Sequence, residues 1–175
     1  MTRNNKEMYK LIIRYLLIIL IGLNTNIFYF LFKNPANLIV CNILNLFYPA
    51  SIQGSIIVFK NISIDLIPPC FAPSAFFLLF ILIFSTRNIN FIRRIMLFIL
   101  SSLTLFIINI IRIVYLVLIF DSPYFNSAHF ILWNILSVLF VVLLWFFYAG
   151  LFKIKEIPIY SDWIYAKNFR TRFSH

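Results

Sequence analysis

Four stretches almost without charge, residues 15–32, 71–85, 95–120 and 130–152, limit what this chain can fold into more than any other feature. A helix rises about 1.5 Å per residue, so about 20 apolar residues cross the ~30 Å hydrocarbon layer of a membrane. Of the 175 residues, 63% are hydrophobic and only 11% charged. A soluble domain is about half apolar and about a quarter charged. The pattern predicts an all-α integral membrane protein forming a single domain over residues 1–175. The expected form is a four-span helical bundle with spans near 11–32, 71–85, 95–120 and 128–152.

The formal charge of +10 does not describe a nucleic-acid surface. The cations cluster beside span ends, where lysine and arginine set topology. Arg3, Lys6, Lys10 and Arg14 flank the first span, Arg87, Arg93 and Arg94 follow the second, and Lys153, Lys155, Lys167, Arg170 and Arg172 occupy the tail. Those twelve of the fifteen basic residues share one side of a four-span arrangement. Only Lys33 and Lys60 fall opposite, and Arg112 is inside a span. The expectation is therefore a multi-pass cell-membrane protein with residues 1–10, 86–94 and 153–175 cytoplasmic, and 33–70 and 121–127 extracytoplasmic. The N-terminus is basic and then apolar, as in a signal peptide, but no small-residue cleavage site follows, which predicts an uncleaved first helix.

Between the first two spans the pattern changes. Lys33-Asn34-Pro35 is expected to end the first span. Residues 36–48, interrupted by Asn37, Asn42 and Asn45, predict a short extracytoplasmic helix at the interface. Residues 55–66 alternate and are rich in isoleucine, which predicts a small β-hairpin turning at Lys60-Asn61. That segment leads into Pro68-Pro69-Cys70-Phe71-Ala72-Pro73-Ser74, a stiff turn that delivers a cysteine to the head of a helix.

Polar groups at membrane depth are candidates for function. Cys70 is seventeen residues from Arg87, about 25 Å at the helical rise. Arg112 is eighteen residues from Arg94, about 27 Å by the same measure. His129 is twenty-four residues from Lys153, about 36 Å before tilt is considered. Three spans thus bring a thiol, a guanidinium and an imidazole toward the outer side. Each has a plainer reading: a cysteine that fills a packing gap or pairs with Cys41, an arginine that snorkels, an interfacial histidine. Together they suit one chemistry. A thiolate is a nucleophile, histidine can protonate a leaving amine, and arginine can hold an oxyanion. One histidine beside one cysteine supplies too few ligands for a metal, and no cofactor is expected.

Three short blocks then carry a resemblance. They are Cys70-Phe71-Ala72-Pro73-Ser74 opening a span, Asn109-Ile110-Ile111-Arg112-Ile113 late in the next, and Ser127-Ala128-His129 opening the last. Residues 50–150 resemble the exosortase/archaeosortase group of prokaryotic membrane cysteine transpeptidases. That resemblance places Cys70, Arg112 and His129 on the group's catalytic positions. Ala72 departs from it, standing where glycine is common. The resemblance implies a protease and transferase acting on proteins with a C-terminal motif, a membrane helix and a basic end. It also implies transfer to an amine-bearing lipid or surface acceptor. Asn109 and Ser74, each one turn from a catalytic position, are supporting candidates, and Asn109 equally suits an interhelical hydrogen bond. Tyr115 and Asp121 are weaker ones. Partners are thus substrate proteins, the acceptor and membrane lipids, with no nucleic acid. The competing readings are a non-catalytic four-helix membrane protein, such as a transporter subunit or assembly factor, and a thiol-dependent membrane acyltransferase.

Overall fold

The computed structural model describes the backbone of residues 3–54, 56–60 and 62–173, and their side chains except those of 3–7, 134–136, 166 and 168–173. The expected interfacial side chains of Arg3, Lys6, Phe169, Arg170 and Arg172 lie outside the described residues, as do Ser55 and Asn61 of the expected hairpin. The fold is mostly helical with one small sheet. Helices α1 (Arg3–Gly22) and α2 (Asn26–Asn45) lead into strands β1 (Ala50–Gln53), β2 (Ile56–Phe59) and β3 (Ile62–Asp65). A 3₁₀ turn, Pro68–Phe71, opens the second half. Helices α3 (Pro73–Phe84), α4 (Phe91–Leu118), α5 (Phe125–Phe130), α6 (Ser137–Leu151) and α7 (Tyr160–Phe173) follow. A π-helical segment, Ile131–Leu136, joins α5 to α6.

Helices α2 and α4 are long and apolar enough to cross a membrane, and α5 with α6 is a third candidate if the pair, bent by 42°, is one span. The 12 residues of α3 rise only about 18 Å, short of the hydrocarbon thickness. The expected first span, 11–32, is not one helix. It breaks at residues 23–25, where Asn24 N–H donates to the Ile21 carbonyl and Phe28 N–H to that of Thr25. Gly22 permits a close approach at this break, since a Cβ there would sit 2.7 Å from the Phe77 ring. α1 then climbs along α3, with Arg14 beside Thr86 and Gly22 beside Phe77. α2 continues the climb, its Phe28 and Phe32 rings stacking on Phe76.

Pro35 does not end a helix, and residues 36–48 are not a separate interfacial piece. α2 runs through Pro35 to Asn45. Proline removes one intrahelical bond and kinks the helix, but Ala36, Val40 and Leu44, spaced by four, are fully buried along one ridge. Packing of that ridge outweighs the local proline penalty. The expected hairpin is one part of a three-stranded antiparallel sheet ordered β1-β2-β3. Ile57 pairs with Ile52 and Ile64, and Val58 with Ser51 and Ser63. Ile57 and Phe59 turn inward and are buried against the helices, so a period of two closes the top of the bundle.

The turn before α3 is tightly specified. Pro68 and Pro69 occupy its first positions, where no N–H is required, and Cys70 N–H donates to the Ile67 carbonyl at 2.9 Å. Ala72 then adopts φ 46° and ψ 56°, the left-handed region that glycine fits without penalty. It joins the 3₁₀ turn to α3, and Ala75 N–H donates to its carbonyl at 2.9 Å. A left-handed L-residue costs about 1–2 kcal/mol, of which glycine's extra unfolded-state freedom recovers about 0.5–1 kcal/mol. Ala72→Gly should therefore stabilise the protein in detergent by about 0.5–1 kcal/mol, and Ala72→Val should destabilise it. Thermal unfolding followed by circular dichroism measures both; a destabilised glycine variant would contradict this account of the turn.

Candidate active site

Cys70, Arg112 and His129 line one cavity of about 200 Å³ at the sheet end of the bundle. The 3₁₀ turn supplies Cys70, α4 supplies Arg112, and α5 supplies His129. The described polar lining is completed by Ser63 and Asp65 of β3, and the rest is apolar.

Arg112 is the hub. Its Nη2 donates to the backbone carbonyl of Cys70 at 2.6 Å, and its Nη1 donates to Ser137 Oγ at 2.9 Å. Ser137 Oγ in turn donates to the Leu132 carbonyl at 3.1 Å, five residues back. That carbonyl lies within the π-helical segment, whose i→i+5 spacing sets Ser137 over the residue five positions before it. Arg112 thus ties the cysteine turn, α4 and the α5–α6 bend together. Arg112 Nε has no hydrogen-bond partner among the described residues, so donor capacity remains beside the thiol.

His129 is held by rings. It stacks on Phe125 at 5.8 Å and meets Trp133 edge-on at 5.2 Å. Residues 125, 129 and 133 are spaced by four and share one helix face, which turns the imidazole to the cavity. Burial pushes the Cys70 thiol above its ordinary pKa; the Arg112 guanidinium pulls it down and Asp65 adds to the upward push. The resting residue is therefore a thiol that needs a base to become a nucleophile.

The supporting candidates divide. Asn109 is buried and lines a small pocket with Arg112, Ser137 and Ala72, yet its Nδ2 finds no partner among the described residues. Ser74 is exposed, on neither of the pockets that Arg112 lines. Tyr115 is about half exposed on the outer face of α4. Cys41 is buried on α2, and both cysteines are free thiols. Sequence reasoning missed Ser137, Trp133, Ser63 and Asp65 as lining residues. Ser137 carried a signal, being a polar residue within an apolar run eight positions after His129. No protein-family model, curated protein or solved structure matches this chain.

The electrostatics predict a signed pH response. In a Cys41→Ala background, maleimide alkylation of Cys70 should reach its half-maximal rate above the pH of an ordinary thiol, because only the thiolate reacts. Arg112→Gln removes the favourable cation and should move that midpoint further up, whereas Asp65→Asn should move it down. Rates measured across pH by intact mass check both directions; a midpoint unmoved by either change would mean that neither group acts on the thiol.

Proposed function

We propose that this chain is a membrane cysteine transpeptidase of the exosortase/archaeosortase kind, working at the outer face of the cell membrane. The single observation that carries the reading is the convergence of Cys70, Arg112 and His129 on one cavity, with the guanidinium bonded to the cysteine's own carbonyl. A packing cysteine and a snorkelling arginine have no reason to share a cavity with a histidine.

The proposed topology has four passes: the α1–α2 climb, α3, α4, and the bent α5–α6 pair, with the 3₁₀ turn that carries Cys70 at the extracytoplasmic end of α3. The basic residues around Arg14, Arg87 and Arg94 gather at the opposite end of the bundle from the cavity, which supports a cytoplasmic basic end and an extracytoplasmic site.

In the reaction, His129 takes the Cys70 proton and the thiolate attacks the scissile carbonyl of the substrate. Arg112 holds the oxyanion. The C–N bond breaks, His129 delivers the proton to the leaving amine, and the anchor helix departs from a thioester on Cys70. An amine-bearing acceptor then attacks the thioester, forming a new amide and restoring the thiol.

Strand β3 gives the substrate its seat. Five consecutive residues, 62–66, line the cavity. Side chains alternate between faces along a strand, so a cavity touching every residue in turn runs along the strand's edge. β2 occupies one edge of β3 and the other edge is unpaired within the sheet. An extended recognition motif adds there as a fourth strand, main chain to main chain, which places its end beside Cys70.

The test is co-expression with a candidate anchored protein from the same genome, followed by gel mobility. Cys70→Ala and Cys70→Ser should abolish processing. Arg112→Lys keeps the charge and loses the planar fork, and should slow processing by about 10²–10³. Processing that survives Cys70→Ala would remove the transpeptidase reading and leave a non-catalytic membrane protein.

A further inference from the structure

The other end of the bundle holds a second and larger cavity, of about 670 Å³, built from segments far apart in sequence. Its cations are Lys10 and Arg14 of α1, Arg87 of the α3–α4 connection, and Arg94 of α4. The only acidic lining residue described is Asp162 of α7, which is already engaged by Arg14 and by the Tyr15 hydroxyl. Arg14 answers that carboxylate, and Arg87 and Arg94 leave an excess of positive charge along the described lining. Glu156 lies just outside and accepts from Asn88 Nδ2 at 2.8 Å, so it lessens this excess without cancelling it.

Three independent features aim at an anion. Arg94 is only 9% exposed, and Nη2 donates to the Thr86 carbonyl at 2.7 Å while Nε has no partner among the described residues. A buried guanidinium with an unmet donor is costly unless something accepts from it. The cavity also includes Asn90 and Phe91, the start of the 28-residue helix α4. That start has no acid in its first turn and no side-chain cap, so its first N–H groups and dipole remain directed outward. The Arg87 guanidinium sits over the Tyr165 ring, 3.6 Å from its centroid, a cation–π contact that holds it at the cavity. Guanidinium groups together with a helix N-terminus form the recurrent recognition set for phosphate.

Apart from Asn88, the remaining lining is apolar. Ile13 and Phe91 are exposed beside the cations, so the cavity has an oily flank facing outward from the bundle. We propose that this cavity binds the phosphate of an anionic phospholipid headgroup, with an acyl chain lying along Ile13 and Phe91. The bound phosphate bridges α1, the 86–90 connection and α4, and so fixes the basic end of the bundle. The site is independent of the chemistry at Cys70.

The test uses the full chain in detergent, with lipid binding read by native mass spectrometry and by shift in melting temperature. The probes are phosphatidylglycerol, phosphatidylcholine and glycerol phosphate. Phosphatidylglycerol should be retained in preference to phosphatidylcholine and should raise the melting temperature. Arg87→Gln and Lys10→Gln should each weaken retention about fivefold, the effect of about one charge near an anionic surface. Arg93→Gln is the control: Arg93 is exposed, neighbours Arg94 and does not line the cavity, so its loss should leave retention unchanged. Glycerol phosphate raising the melting temperature by itself would uphold the phosphate site and assign it a soluble ligand. Equal retention of both lipids, or equal weakening by Arg93→Gln, would overturn the proposal and reduce the cavity to part of a general basic surface.

Discussion

A single half-buried guanidinium organises the sheet end of this protein. Arg112 sits late in a helix apolar enough to cross a membrane, where an unpaired cation would cost several kcal/mol. The fold meets that cost with two acceptors from different parts of the chain, the Cys70 carbonyl and Ser137 Oγ. Both acceptors depend on local departures from regular helix. The cysteine carbonyl is available because Pro68–Phe71 is a 3₁₀ turn that ends at a left-handed Ala72. The serine is placed by the π-helical segment before it. Removing the arginine would leave two acceptors facing an apolar cavity; removing either irregularity would leave the arginine short of a partner.

The same logic explains what the sequence made legible. Residue types with few alternatives could be read: two prolines fix where a helix starts, an arginine inside an apolar run demands partners, and a histidine at the head of such a run is conspicuous. The group resemblance flagged position 72 as one where glycine is common, and the positive φ of Ala72 gives that position a physical meaning. Illegible features were those decided by tertiary packing. Pro35 looked like a terminator, but the buried Ala36, Val40 and Leu44 ridge carries α2 through it. The break at 23–25 carries no proline, and its marks, Gly22 and the short polar run Asn24-Thr25-Asn26, sit inside an otherwise apolar stretch long enough to read as one span. β1, Ala50-Ser51-Ile52-Gln53, lies apart from the isoleucine-rich 55–66 run and offers a single large apolar residue, so its alternation does not stand out. Ser74 was one turn from Cys70 along the chain, but the left-handed residue between them turns it to an exposed position.

The two ends of the bundle solve opposite electrostatic problems. At the sheet end one cation, one thiol, one imidazole and one carboxylate share a small, mostly apolar cavity, and Arg112 and Asp65 act on the thiol in opposite directions. At the other end, Arg14, Arg87 and Arg94 line a larger cavity whose one described carboxylate, Asp162, is already engaged by Arg14, and the proposed phosphate would answer the remaining charge. Between them the bundle is joined by stacked aromatic rings, such as Phe32 against both Phe76 and Phe106, and by the Thr104–Tyr148 hydroxyl pair at 2.7 Å. That rigid middle lets short irregular segments hold reactive groups in fixed relation.

The central claim is that Cys70 forms a covalent acyl bond, and trapping that bond tests it most directly. The wild-type protein, co-expressed with a candidate anchored substrate and quenched in acid during turnover, should show by intact mass an adduct on Cys70 that hydroxylamine releases as expected of a thioester, and His129→Ala, which lacks the base that forms it, should show none. The account predicts an adduct on Cys70 and none on Cys41, which is buried in α2. Substrate cleaved without any adduct on Cys70, or an adduct that resists hydroxylamine, would contradict it.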